Sequence, residues 1–388
     1  MKAKDRRLET LRAEIPEVAP AEARALQQKG AVLVDVREPD ETAQGVAEGA
    51  VVAGRGFLEL RIEDIAPDPE RPILLMCGSG VRSLFAADSL RQLGYRDVRS
   101  VAGGFNRWKD TGLPFNMPKV LSADARTRYA RQVILPEVGE AGQQKLLDAR
   151  VLLIGAGGLG APAGLYLAAA GVGTIGIVDH DAVDRSNLNR QVIHTDDRVG
   201  EPKVESAARA IRALNPTVEV ETHRLRLSPD NVESVFSAYD VIIDGSDNFA
   251  THYLVNDACV HLGLPCVHGS IFRFDAQISV FWPTAPERGP CYRCLYPAPP
   301  PPELAPSCNE AGVLGVVPGT VGLLEATEAL KLVLGVGRTL VGRLLCFDAL
   351  NMQFRELNVS PDSDCAYCGP GKPFPGYANY EQLCNAAA

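Results

Sequence analysis

One stretch limits the folds open to this chain more than any other. From residue 151 to residue 178 there is no charged side chain, and the segment VLLIGAGGLGAPAGLYLAAAGVGTIGIVD closes on Asp179. By hydropathy alone such a run reads as a membrane span. Its glycines argue otherwise. Gly155, Gly157, Gly158 and Gly160 follow an apolar run, an alanine- and leucine-rich segment comes next, and Gly171 and Gly173 precede a second apolar run. This pattern predicts strand, tight turn, helix and strand, a buried βαβ unit. Successive glycines let the backbone approach a phosphate, the helix N-terminus offers unpaired N–H groups, and an acid ending the second strand can hold ribose hydroxyls. The stretch therefore predicts a nucleotide, without saying which.

The rest of the composition narrows the setting. A chain of 388 residues is long for one core and predicts about two or three domains. A net charge of −9 argues against general nucleic-acid binding, which needs clustered cations. The first residues, MKAKDRRLETLRAEIPE, are charged throughout. They predict neither signal peptide nor membrane anchor, and so a cytoplasmic protein. In that setting ten cysteines are read as thiols for metal or sulfur chemistry rather than as disulfides.

Residues 16–115 form a first compositional unit of small α/β character. Its centre is Cys77 in CGSGVRS, where an apolar strand (PILLM) gives way to an amphipathic helix. Backbone N–H groups of the loop, the positive end of the helix dipole and Arg82 would all favour a thiolate there, or the terminal anion of a persulfide. A lone buried core cysteine is the plainer alternative, but it would need neither the Gly-Ser-Gly loop nor the arginine. With DVREPDE (residues 35–41), CGSGVR and AGGFNRW (residues 102–108), the region resembles a single rhodanese domain. It reads GVAEGA where that family usually reads GHIPGA. The resemblance implies that Cys77 accepts and donates sulfane sulfur while Arg82 closes the loop, and Asp35, Glu38 and Trp108 are read as structural.

Residues 116–127, with a proline and the capping residue Ser122, read as a linker, and residues 128–388 as a second, larger domain. Arg128 and Arg131 fall at i and i+3 on one helix face, a pattern that suits a solvated face equally well. After Asp179 comes HDAVDRSNLNRQVIHTDDRVGEPKVE. Asn187, Arg190 and Lys203 in it could neutralise a triphosphate whose transition state spreads charge over non-bridging oxygens. VIIDGSDN (residues 241–248) predicts a strand ending in carboxylates, with Asp247 placed for Mg²⁺ or ribose at the C-terminal edge of a sheet. CYRC and CAYC supply Cys291, Cys294, Cys365 and Cys368, two CxxC pairs that satisfy tetrahedral structural zinc. Cys308 stands in a proline-rich, irregular segment where a thiol would be exposed. Cys259, Cys266 and Cys346 lie in apolar runs and read as core; Cys384 is unassigned.

GAGGLGAP, VDHDAVDRSNLNRQ, VGEPKVE, DGSDN, CYRCLYP and CNEAGVLGVVPG together are similar to the MoeB/ThiF family, bacterial relatives of ubiquitin-activating enzymes. The resemblance implies a Rossmann-like, mainly parallel sheet. It implies adenylation of the C-terminal glycine of a small ubiquitin-like sulfur carrier ending in Gly-Gly, of the molybdopterin-synthase small-subunit or thiamine type. By motif, Gly157 and Gly158 would lie at the phosphates and Asp179 at the ribose. Asn187, Arg190 and Lys203 would contact phosphates, and Asp247 with Asn248 would complete the ATP and Mg²⁺ site. Arg131 would reach into a partner subunit's site, making the enzyme a homodimer, and Cys308 would attack the acyl-adenylate or join a transient acyl disulfide. With a persulfide on Cys77, charged from thiosulfate or a cysteine desulfurase, the product would be a protein thiocarboxylate. Two rivals remain at this stage. One is an NAD-dependent oxidoreductase using the same glycine turn, against which Arg190, Lys203 and the paired CxxC motifs count. The other is a non-catalytic scaffold that binds a sulfur carrier.

Overall fold

The computed structural model describes residues 2–117, 121–299 and 312–380. The chain divides into two compact units, Met1–Val120 and Leu121–Ala388.

The first unit opens with helix α1 (Ala3–Glu14), ahead of strand β1 (Glu17–Val18) and helix α2 (Pro20–Gln28). Strand β2 (Val32–Asp35) runs into the short α3 (Pro39–Thr42), followed by β3 (Val46–Ala47), β4 (Val51–Val52) and α4 (Leu58–Ile65). Strand β5 (Ile73–Met76), α5 (Arg82–Gln92), β6 (Val98–Val101), α6 (Gly104–Asp110) and β7 (Phe115–Asn116) complete it. Five strands form a parallel sheet in the order β1-β6-β5-β2-β4. The runs VLV and ILLM are uninterruptedly apolar because both faces of the sheet are covered. Val32, Val34, Ile73 and Leu75 pack with Leu11, Leu58, Ile62, Leu84 and Leu90 on one face. Leu33, Leu74 and Met76 pack with Ala23, Phe105 and Trp108 on the other. The GVAEGA segment contributes β3, paired antiparallel with β7.

The second unit begins with α7 (Ala123–Arg128), capped by the Ser122 side chain, then α8 (Ala130–Val133) and α9 (Gly139–Asp148). Strand β8 (Arg150–Ile154), α10 (Gly160–Ala170) and β9 (Thr174–Val178) are the predicted βαβ unit. Helix α11 (Lys203–Leu214), β10 (Glu219–His223), α12 (Val232–Phe236), β11 (Val241–Asp244) and α13 (Phe249–Leu262) follow. Strands β12 (Cys266–Phe272) and β13 (Asp275–Phe281), α14 (Tyr292–Leu295), α15 (Val316–Leu334), β14 (Arg343–Asp348) and β15 (Gln353–Asn358) end the described fold. The sheet order is β10-β9-β8-β11-β12-β13-β14-β15. The first five strands are parallel and the last three join antiparallel, so the parallel nucleotide-binding half carries a meander on one edge. Val151 and Leu153 point into a core shared with α10, α11 and α15. Leu152 and Ile154 face the opposite core with α12 and α13.

Strand order reverses between β8 and β11. Such a switch point opens a crevice outside the carboxyl ends of the strands, where doubly wound sheets bind ligands. The glycine turn after β8 and the DGSDN turn after β11 both stand there.

Candidate active site

In the first unit Cys77 is fully buried at the end of β5. Its Sγ accepts the Gly80 N–H at 3.1 Å and lies 3.5 Å from the Ser83 hydroxyl, which is 2.8 Å from that of Ser100. The loop is held from the side by α6: Phe105 and Asn106 donate their N–H groups to the carbonyls of Cys77 and Gly78. Gly104 has to be glycine, because a Cβ there would lie 2.1 Å from the Cys77 carbonyl oxygen. The AGGFNRW motif is therefore a clamp on the CGSGVR loop. Arg82, the first residue of α5, makes a two-pronged ion pair with Glu41 at 2.7 and 2.5 Å. The Arg82 hydrogen bond holds the Glu41 carboxyl below its usual value. Asp35 forms a buried pair with Arg37, Glu38 and Glu41 make a capping box on α3, and Trp108 donates its indole N–H to the Pro114 carbonyl.

In the second unit the glycine turn is closed by backbone approach. Gly155 has φ +94°, and a Cβ at Gly160 would lie 2.0 Å from the Gly155 carbonyl oxygen. Gly157 and Gly158 differ from these two. A Cβ at Gly157 would meet only Gln191 Nε2 at 3.8 Å, and one at Gly158 would meet Pro318 at 3.0 Å and Arg190 Cδ at 3.6 Å. Gly158 thus marks where α15 and the Arg190 segment close over the turn. Asp179 accepts the N–H groups of Ala156 and Asp181 at 2.9 Å each, so it braces the turn it was expected to serve. His194, absent from the sequence expectations, bridges the Ala156 carbonyl and the Ser206 hydroxyl, and burial pushes its ring pKa down. Nothing in its residue type or spacing marks it; only the folded turn does.

The two cations are held by neighbours. Arg190 donates to Asn187 Oδ1 at 2.9 Å and to Asn189 Oδ1 at 3.2 Å. Lys203, with a side chain only 8 % exposed, is 2.8 Å from Asp181. Against the upward push of burial, Lys203 holds the Asp181 carboxyl down. Asn248 caps α13 through the Thr251 N–H. Asp247 is exposed and has no hydrogen-bond or ion-pair partner among the described residues. Of the two arginines near the start of this unit, Arg128 donates to the Leu214 carbonyl, whereas Arg131 is exposed and unpartnered among the described residues. Cys308 and Cys384 lie outside the described residues.

Beneath the DGSDN turn lies a buried polar cluster that the sequence did not announce. One oxygen of Asp244 accepts from His252 Nδ1 at 2.7 Å and His268 Nδ1 at 3.1 Å. The other accepts from the Ser246 N–H at 3.2 Å and hydroxyl at 2.6 Å. Burial pushes the Asp244 carboxyl up, yet the histidines hold it well below the usual carboxylate range. Burial pushes the His268 ring pKa down, against the upward pull of the Asp244 hydrogen bond.

The four cysteine sulfurs expected to bind zinc lie together, with ligand atoms within 4.8 Å of one another. Cys291 is 3.8 Å from Cys294 and 3.6 Å from Cys365, and Cys294 is 3.4 Å from Cys368. Tetrahedral zinc with Zn–S bonds of about 2.3 Å sets sulfurs about 3.8 Å apart, so the cluster fits the metal. Hydrogen bonding within it pushes the Cys291 thiol up, and pushes Cys294 down to about 2 and Cys365 to about 6. Only a cation lets all four ionise together. Arg293, between the first two ligands, pairs bidentately with Asp257 of α13. Cys259 and Cys266 are buried and Cys346 is half-buried on β14.

Residues 129–367 match the ThiF family, and residues 19–111 match the rhodanese-like domain. The chain belongs to the ThiF family. A probable adenylyltransferase/sulfurtransferase MoeZ of Mycobacterium tuberculosis is 53 % identical over 270 residues, covering 69 % of this chain and 67 % of the relative. A sulfur carrier protein adenylyltransferase of Thermus thermophilus is 52 % identical over 259 residues, covering 66 % of this chain and 96 % of the relative. An adenylyltransferase and sulfurtransferase MOCS3 of Drosophila grimshawi is 47 % identical over 269 residues, covering 69 % and 60 %. Among solved structures, Escherichia coli MccB superposes with a TM-score of 0.56 at 23 % identity over 62 % of this chain and 75 % of that one, a likeness of fold alone. The ThiF match spans the switch-point crevice and three of the four clustered cysteines, with Cys368 one residue beyond its end, and the rhodanese-like match spans Cys77 and its clamp. Among the described residues, no helix is long and apolar enough to cross a membrane.

Proposed function

We propose that this chain uses ATP to adenylate the C-terminal glycine of a small ubiquitin-like sulfur carrier and then installs sulfur delivered through Cys77, giving a protein thiocarboxylate. The observation that carries the reading is the convergence, at one switch point, of the glycine turn, Asp179, the Arg190 and Lys203 segment and the outward-facing Asp247. The adenylyltransferase and sulfurtransferase names of its relatives point the same way. An oxidoreductase would have no use for this phosphate-handling set.

In this reading the backbone N–H groups at Gly157 and Gly158 and the N-terminus of α10 bind phosphate oxygens, and Asp179 takes the ribose. Arg190 and Lys203 leave Asn187 and Asp181 in part to meet phosphate charge, which concentrates at the α-phosphorus as the carrier carboxylate attacks and pyrophosphate departs. Asp247, with Asn248 beside it, would hold Mg²⁺, which when bound neutralises phosphate charge. Arg131 is free to serve the site of a second copy in a homodimer. The four-cysteine cluster would hold zinc with no open position, so its part is structural.

Sulfur transfer belongs to the first unit. The Cys77 thiolate takes sulfane sulfur from thiosulfate, releasing sulfite, or from a cysteine desulfurase persulfide, releasing its thiol. The Gly80 N–H and the Ser83 hydroxyl stand ready to solvate the anion. The terminal sulfur of Cys77 then attacks the acyl-adenylate, AMP leaves, and an acyl disulfide forms. A thiolate attacking Cys77 Sγ expels the thiocarboxylate and leaves a disulfide, and Cys308 is the chain's own candidate for that thiol. The division assigns sulfur handling to residues 16–115 and adenylation to residues 128–388, joined through residues 116–127. ATP–pyrophosphate exchange tests the reading: it should depend on a carrier ending in Gly-Gly and be lost in Arg190→Ala and Lys203→Ala. A thermal shift with NADH but none with ATP and Mg²⁺ would overturn it.

A further inference from the structure

The Asp244 cluster has no part in the reaction sketched above, yet it is built into the same edge of the sheet. Asp244 ends β11 and is in register with Ile154 of β8 on one side and His268 of β12 on the other. Ile154 is the last residue before the glycine turn. Gly245, which follows Asp244, donates its N–H to the Ile154 carbonyl, and a Cβ at Gly155 would lie 3.0 Å from the Gly245 carbonyl oxygen. The two turns therefore lie against each other, and the placing of one constrains the other.

Four hydrogen bonds converge on the Asp244 carboxylate, which is 1 % exposed. Two come from histidines on different elements, His252 on α13 and His268 on β12, with rings edge-to-face at 4.7 Å. They fix the carboxylate with respect to both. The other two come from Ser246, which folds the turn back on itself. Asp247 leaves from that turn toward solvent, and Asn248 caps the helix that carries His252. The turn from which Asp247 leaves is thus fixed before any cation arrives, which does for the backbone of that ligand what hydrogen-bonded partners behind a metal ligand do for its side chain.

We propose that Asp244, locked by His252 and His268, is a positioning residue that aims Asp247 at the divalent cation of the bound nucleotide. The inference rests on the adenylation reading, in which Asp247 is the ligand. The cluster is not a metal site of its own in this account. Both Nδ1 atoms approach the same oxygen at hydrogen-bond distances, and Ser246 occupies the second oxygen.

The test compares the full-length chain with Asp247→Asn, Asp244→Asn, Ser246→Ala and His268→Phe, using ATP–pyrophosphate exchange at varied Mg²⁺, thermal melting and zinc content. Asp244→Asn keeps the size of the side chain but presents an amide to histidine N–H donors. Ser246→Ala removes the shortest bond without disturbing the core. The expected result is that Asp247→Asn abolishes exchange. Asp244→Asn and Ser246→Ala should then raise the Mg²⁺ concentration for half-maximal exchange by about tenfold or more, while the rate at saturating Mg²⁺ and the half-saturating carrier concentration change little. Full exchange in Asp247→Asn would sink the adenylation assignment of that residue. Loss in Asp247→Asn with unchanged Mg²⁺ dependence in a folded Ser246→Ala would overturn the positioning role alone. A second zinc per chain that His268→Phe removes would also overturn it, because the histidines would then be ligands.

Discussion

Adding one methyl group at Gly160, and separately at Gly157, divides the glycines that the fold needs from those that a nucleotide needs. At Gly160 the new carbon would lie 2.0 Å from the Gly155 carbonyl oxygen, about 1 Å inside the closest approach a Cβ tolerates. The oxygen belongs to the backbone of the turn, so the turn must open or α10 must shift. Forced overpacking of this kind costs about 3 kcal/mol, against which alanine in place of glycine in a helix returns up to about 1 kcal/mol. The net loss of about 2 kcal/mol corresponds to a fall of roughly 4–8 °C in the melting temperature of a unit this size. At Gly157 the methyl meets nothing closer than 3.8 Å, so the fold should be indifferent. In the proposed adenylation reading the same methyl would stand where the phosphates approach the backbone, weakening ATP by about tenfold, or about 1.4 kcal/mol. Calorimetry of the full chain with and without ATP and Mg²⁺ identifies the transition of the second unit as the one that ATP raises. Gly160→Ala should melt early, whereas Gly157→Ala should melt normally but respond weakly to ATP. Equal melting of Gly160→Ala and the parent protein, or early melting of Gly157→Ala, would refute the reasoning.

Three further outcomes are expected. Cys77→Ala should keep carrier-dependent ATP–pyrophosphate exchange and lose sulfur transfer from thiosulfate; loss of both in a folded variant, read by the same two assays, would contradict the division of labour. Mass spectrometry under native conditions should find one zinc per chain, and Cys365→Ser should lose the metal and destabilise the second unit without first affecting melting of the first. Glu325 on α15 is fully buried, and burial raises its carboxyl well above the usual range. The unfolded chain therefore ionises where the folded chain stays protonated. The stability that this group contributes is complete below about pH 4.5 and is lost as pH rises toward the folded value. Glu325→Gln should flatten the decline in melting temperature above that pH, and an unchanged pH profile would count against a protonated Glu325.

What could be read from the chain, and what could not, follows from how local each feature is. The βαβ unit was legible because its glycines and apolar runs are contiguous, and the four-cysteine cluster because CxxC spacing survives a separation of about seventy residues along the chain. The CGSGVR loop was legible for the same reason. Its clamp, Gly104 against the Cys77 carbonyl, is a long-range steric fact with no local signature. The roles of the glycines were only half visible. Residue type marks Gly155 to Gly160 as a turn, but only the folded backbone separates Gly160, which closes it, from Gly157, which lies open beside it. Asn187, Arg190, Lys203 and Asp179 were legible as polar groups after a strand end, while the pairing of Arg190 with Asn187, of Lys203 with Asp181 and of Asp179 with the Ala156 N–H was not. Asp244, His252 and His268 come from a strand end, a helix and a neighbouring strand, and only the register of β11 with β12 brings them together. The antiparallel meander β13–β15 was likewise unannounced, because alternation along one strand does not name its neighbour.

Mass spectrometry of a Gly-Gly carrier incubated with the full-length protein, ATP, Mg²⁺ and thiosulfate tests the central claim most directly. The account predicts a carrier in which one C-terminal oxygen has been replaced by sulfur, formed only with ATP, and trapped as the AMP adduct when Cys77 is replaced by alanine. Failure of every Gly-Gly carrier encoded in the same genome to gain sulfur with an active, folded enzyme, or a gain that proceeds without ATP, would contradict it.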